Sequence, residues 1–480
     1  GGVLLTRGST SSSTNSASLT GGGGGNGGNG GKAGNVAGSG GAGGDGGAGA
    51  ELTGGGGLTN SGLIEGGDGG VGGTGGNGVV LGDGGEGGAG GTGGAGISAN
   101  AGAIIVNSDT IEGGNGGSGG AGGGSSASGA GGAGGPGIVG AGLTITNTGT
   151  ISGGLASNGT QADAIDFTGN TNTLTLSGTG GLNGHIEIDA GTVAFDQSTA
   201  VSLGNVITGA GAIIDTGTGT LTLTGPNTYG GSTTLSSGTL VVGNSSALGT
   251  GSLAMATGTI LSSVAGSNFT TGNKISISGD PNFTPPSGTV QTLSGVISDG
   301  SSPGTLNMQG LGTLVLSGAN TYTGGTNVTA GTLDLSGSGT LGSTAGATTV
   351  TGGTLDLGGT AQTQNGGLAM SGGILQDGTL SSSGTFALQS GTVGAALVGI
   401  GGLDKTGSGT VILDGANSYS GGTMVSDGTL EVGDPSHPYA RILGGVTVGS
   451  GAPSWATARS AAVSRMRERY SRGAVSACSG

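Results

Sequence analysis

His185-Ile186-Glu187-Ile188-Asp189 sets an imidazole and two carboxylates at alternate positions. In an extended strand alternate side chains share a face, so the three polar groups could meet a metal ion while Ile186 and Ile188 pack behind them. The same spacing describes a solvated strand face over a core. The other histidine, His437, lies in DPSHPY and reads as a Pro-bounded surface loop. The abundant serines could furnish a Ser-His-Asp nucleophile, but there is no GxSxG elbow at a strand-to-helix turn and no GDSG phrase. Asp45, Asp68 and Asp83 sit in glycine-rich contexts without the apolar residue that a calcium-binding GGxGxDxUx nonapeptide requires. Matches to GxGxxG lack a following helix, and GxxxxGK[ST] is absent, so phosphate-cradling loops are excluded. The expected sets of catalytic, metal-ligating and cofactor-binding residues are all empty.

The elements that could position any chemistry are constrained by composition. Of 480 residues 131 are Gly, 2% are aromatic and 7% charged. Helix is disfavoured, because an interior Gly costs about 1 kcal/mol relative to Ala. Nine prolines are too few for a collagen-like chain. The net charge of −15 argues against nucleic acid, whose phosphates need Lys and Arg. The lone Cys478 permits no internal disulfide. No apolar run approaches the ~20 residues of a helical membrane span. The opening Gly1-Gly2-Val3-Leu4-Leu5 has no initiator Met and no basic leader, and reads as an internal fragment or a displaced start.

Three phrases align without gaps: Leu221–Val242, Leu314–Leu335 and Val411–Val432. They share Asn227, Asn320 and Asn417, and Tyr229, Tyr322 and Tyr419. Each begins and ends with alternating apolar residues, with Leu333 and Leu335 on one face and Asp334 on the other. The Gly/Asn/Thr stretch between reads as a turn. From Leu314 to Leu333 is 19 residues; GTLDL at 331–335 returns at 353–357, and Ile374 follows Leu355 by 19. A period near 20 predicts one coil of a parallel solenoid, each coil burying its apolar face only against its neighbours. An antiparallel meander has no reason to keep that period. Residues 141–450 would make about 15 coils, or ~70 Å of stacked strands.

The compound string G-x-G-T-L-x-L-x-G-x-N-x-Y-x-G-G-T-x-V-x-x-G-T-L, in 217–242, 310–335 and 407–432, resembles the passenger-associated transport repeat of bacterial autotransporters. The first copy departs at Pro226 and at Gly230-Gly231-Ser232. The resemblance implies an all-β fold, a right-handed parallel β-helix, exported through the outer membrane of a Gram-negative bacterium by a C-terminal barrel. It implies a non-catalytic, monomeric stalk at the cell surface, an adhesin whose repeats assist secretion. Its partners would be host or cell-surface glycans or proteins. Two alternatives are a glycine-rich wall or matrix component and a β-helical glycan-cleaving enzyme. The enzyme would need clustered charged residues in a groove, yet only five Lys and Arg lie before residue 451.

Residues 1–140 are dominated by GGx triplets such as GGDGGVGGTGGNG at 66–78. Alone these read as a flexible linker or as a three-per-turn polyglycine sheaf. A second phrase punctuates them, at Asn60–Gly67, Asn107–Gly114 and Asn147–Gly154, spaced by 47 and 40 residues. The expectation is a stack of β-helix coils with long Gly-rich excursions, rather than disorder. From 451 to 480 the language changes. Arg459, Arg465, Arg467, Arg469 and Arg472 gather there with Trp455. Read one frame over, the stretch permits further repeat-like text, so it is expected to be out-of-frame sequence rather than a basic docking helix.

Overall fold

The computed structural model describes residues 3–6, 12–33, 36–78, 84–177, 180–433, 435–449 and 457–460. Among these there is no helix. Parallel strands form a β-solenoid of about 13 turns, fewer than the ~15 coils expected for residues 141–450 alone. The chain divides into two compact units, one of Gly1–Thr234 with Ser246–Gly251, the other of Leu235–Ser245 with Ser252–Gly480.

In the first unit, up to residue 183, each coil runs through three sheets. Sheet A stacks seven strands from Val3–Thr6 to Ile207–Gly209. Sheet B carries Ser12–Asn15, Gly57–Asn60, Ile104–Asn107, Thr144–Asn147, Thr171–Leu176 and Thr192–Phe195. Sheet C stacks five short strands, from Leu19–Thr20 to Gly181–Asn183. Alternation decides which residues enter the core. Leu58, Ile105, Ile145 and Leu174 lie in register along the inside of sheet B and are fully buried or nearly so. The Gly-rich tracts leave from sheet C and return to sheet A, between successive coils.

In the second unit a ten-stranded sheet, D, runs from Phe269–Thr271 to Thr457–Ser460. Leu314 pairs with Leu333, and Leu333 with Leu355, each wholly buried. The two ends of a repeat therefore occupy adjacent rungs of one sheet, which is why they must match. Each fully buried Leu contributes about 1.5–3 kcal/mol. A second sheet, E, includes the end of Ile297–Met308, then Gly325–Val328, Thr348–Val350, Leu368–Met370, Phe386–Leu388, Leu403–Lys405, Thr423–Val425 and Val446–Val448. Within the arginine-rich stretch, Thr457–Ser460 adds a rung beside Thr429–Val432.

Two local expectations are corrected. The middle of each repeat is more than a turn, because Gly325–Val328 and Thr423–Val425 are strands of sheet E. Their Gly and Thr content hides an alternation in which Thr326 and Val328 are buried. The rung after Leu355 is filled by Leu375, while Ile374 is 39% exposed. That coil is 20 residues long, and a one-residue slip moves a side chain to the other face.

Candidate functional site

The residues shared by the three repeats converge inside the coil. The Tyr229, Tyr322 and Tyr419 rings are buried, and each hydroxyl pairs with a threonine four residues on: Thr233 at 2.6 Å, Thr326 at 2.7 Å and Thr423 at 2.7 Å. Burial pushes the Tyr229 and Tyr419 phenols up to about 12, opposed by those threonine bonds, so they stay neutral. Asn320 accepts from the Ile297 amide at 2.9 Å in the preceding coil and donates to the Thr340 carbonyl at 2.9 Å in the following one. Asn227 spans from Ile207 to Ala247 in the same way, at 2.8 and 2.7 Å. Asn417 accepts from Leu397 at 2.9 Å but turns its amide to Gly415. These side chains satisfy buried backbone groups where the chain leaves the ladder, each worth about 1 kcal/mol net and more if left unmade. The phenol ring of Tyr322 lies beneath Gly342, a residue with φ of +82° where a Cβ would strike the ring.

The Gly-rich tracts form an ordered sheaf. Residues 21–31, 66–78 and 113–123 make one layer, and 38–49, 84–96 and 129–137 a second. Each GGx triplet is one turn of an extended three-residue helix. Its first Gly donates within the layer, as Gly69 does to Asn115 at 2.8 Å. Its second donates across layers, as Gly70 does to Gly44 at 2.7 Å. The third amide is capped by a side chain where Asn or Asp is present: Val71 donates to Asn26 Oδ1 and Thr74 to Asn29 Oδ1, both at 3.0 Å. Asp45 caps Thr92 at 2.8 Å and Asp68 caps Asn115 at 2.7 Å, so those aspartates serve the backbone. Asp83 lies outside the described residues. At the corner between sheets B and C, Asn15, Asn60, Asn107 and Asn147 form a buried ladder of amide-to-amide bonds, 2.8 Å at every step. Asn15 is hard to see in the sequence, because Asn15-Ser16-Ala17-Ser18-Leu19-Thr20-Gly21-Gly22 has Ala17 and Leu19 where Asn60–Gly67 has Gly62 and Ile64.

The passenger-associated-transport-repeat family matches the chain three times, at residues 213–242, 306–335 and 403–432. These are the segments whose Asn, Tyr and L-x-L residues knit one coil to the next. The chain carries three passenger-associated transport repeats. It is also similar to the "Adhesin BmaC autotransporter" of Brucella suis biovar 1 (strain 1330), 36% identical over 138 residues. That match covers 27% of this chain and 4% of the relative's own length.

Several of the chain's titratable groups gather on the outer face of sheet A. Ile186 and Ile188 are buried beneath His185, Glu187 and Asp189, as their alternation predicted. Asp163 and Asp166 join that face, and Glu187 bonds the Thr208 hydroxyl. Burial, then Asp189, Asp163 and Glu187, push the Asp166 carboxyl up to about 6. No group of three or more His, Cys, Asp or Glu is placed to hold a metal among the described residues. His437 Nδ1 lies 3.5 Å from Asp414 Oδ1. Cys478, Trp455 and Arg465, Arg467, Arg469 and Arg472 lie outside the described residues, and of the Arg459 side chain nothing is described.

Two interior charges were not anticipated. Lys405 is fully buried and its Nζ donates to the carbonyls of Thr406, Gly407 and Asp427 at 2.8, 2.7 and 2.9 Å. Burial lowers its ammonium from the usual range, and Asp427 opposes that shift. Asp215 is buried beside Phe195, where burial pushes it up to about 7 against the Gly217 amide, with Asp196 adding to the rise. The only sequence signals were polar residues at inward positions of L-D-K and A-I-I-D.

Proposed function

We propose that this passenger is a non-catalytic, surface-exposed stalk of an adhesin-type autotransporter. The carrying observation is that the distinctive repeat residues are buried in coil-to-coil bonding, which leaves the outer faces as the working surface. The similarity to an adhesin supports that reading. The repeats act in stacking and in support of secretion, and the partners are host or cell-surface glycans or proteins met outside the outer membrane. The test deletes the gene from the producing bacterium and measures adherence to host cell layers, with purified chain as competitor. Adherence should fall on deletion and on competition; unchanged adherence in both assays refutes the adhesive role. The arginine-rich stretch from 451 is proposed to be out-of-frame repeat text. Genomic DNA past codon 450 should then encode L-x-L coils in a neighbouring frame, and its failure to do so refutes that part.

A further inference from the structure

The outer face of sheet B differs from its neighbours. Thr14, Thr59, Val106, Thr146 and Thr175 stand in one file, in register on five successive strands. A second file, two residues earlier on each strand, includes Ile104, Thr144 and Thr173. Ile104 is 50% and Val106 38% exposed. Neither file contains a charge from residue 12 to residue 175, in a chain of net charge −15. Sheet A carries Glu51, Asp166 and Glu187 on its outer face, and sheet C carries Glu65 and Glu112.

We infer that this face of sheet B is a docking strip for an uncharged, extended polysaccharide laid along the ladder. The inference deepens the adhesive role proposed above and rests on it. Strands set successive positions about 4.8 Å apart along each file and the two files roughly 6.7 Å apart, on the scale of sugar rings in an extended glycan. The hydroxyl pairs Thr14/Thr59 and Thr146/Thr175 flank an apolar step at Ile104 and Val106 that suits a sugar's C–H face. Each threonine hydroxyl gives one donor and two acceptors, and its methyl packs against sugar C–H. β-Branched side chains have few rotamers to lose, so the strip is ordered before its ligand arrives. The missing charge favours a neutral polyol over an acidic one. Protein partners are anchored mainly by Trp, Tyr and Arg, none of which occurs in the two files.

The test uses the full chain and three insoluble neutral glycans: cellulose, chitin and a β-1,3-glucan. Thr59→Glu with Thr146→Glu places charge on the strip, and Ser98→Glu places one on sheet A. Circular dichroism and melting midpoints establish that all variants fold. The wild type and Ser98→Glu should pellet with at least one glycan, and the double variant should lose about tenfold in affinity, some 1.4 kcal/mol. Equal retention of the double variant overturns the assignment, as does retention of the wild type by none of the three glycans. A wild type that binds no glycan yet still adheres to cell layers loses the strip alone. One that does neither loses the adhesive role as well.

Discussion

Leu333 and Asp334 are sequence neighbours on opposite faces of one strand, the first wholly buried and the second half-buried. Leu333→Asp should lower the unfolding midpoint sharply, because an unpaired charge would enter the stack, while Asp334→Leu should leave it nearly unchanged. Equal midpoints in thermal melts would refute the face assignment. Lys405→Met should cost about 3 kcal/mol in denaturant unfolding, because three carbonyls lose a charged donor inside the coil. A neutral result would mean that water replaces the ammonium. Asp166 and Asp215 have folded-state values of about 6 and about 7, both raised above the ordinary 3.8. The native state therefore holds more protons than the unfolded chain between about pH 4 and 7, and stability should fall as pH rises through that window. Melting midpoints should be higher at pH 5 than at pH 8, and Asp215→Asn should raise the pH 8 value. A midpoint that climbs with pH contradicts the sign.

At the scale of elements, the sheaf depends on the absence of side chains. A Cβ on Gly91 would collide with the backbone of Gly44, which cannot retreat without breaking its own bonds. Gly91→Ala should destabilise by about 1–3 kcal/mol, the usual range for overpacking. Ala89→Ser, at an exposed third position, should be silent. Amide hydrogen exchange across residues 84–96 is the readout, and equal protection in the two variants would dismiss the sheaf as packed structure. The triplet period was readable in the sequence. Which glycines face backbone was not, because GGx repeats carry no side chain to mark an inward face. The Asn ladder shows the converse. The N-[ST]-G-x-I-x-G-G phrase was legible, but only stacking turns a recurring Asn into a continuous chain of amide bonds.

For the whole molecule, charge is a further lever. At −15 with ten Lys and Arg, carboxylates repel one another across the surface. Raising salt from low to physiological ionic strength should raise the melting midpoint, since exposed charges beyond about 8–10 Å become screened. A midpoint that falls would mean that attractive pairs dominate. By itself the sequence determined the fold class, the coil period and the burial of Leu333 and its equivalents, because those depend on a local alternation repeated at fixed spacing. It also carried the resemblance to passenger repeats. Only the tertiary structure decided the rest: the choice of Leu375 over Ile374, the strand inside each repeat, the two-layer sheaf, and the Lys405 and Asp215 interiors. Each depends on which residue of another coil, some 20 to 47 positions away, lies one rung above or below, and no local pattern encodes that register.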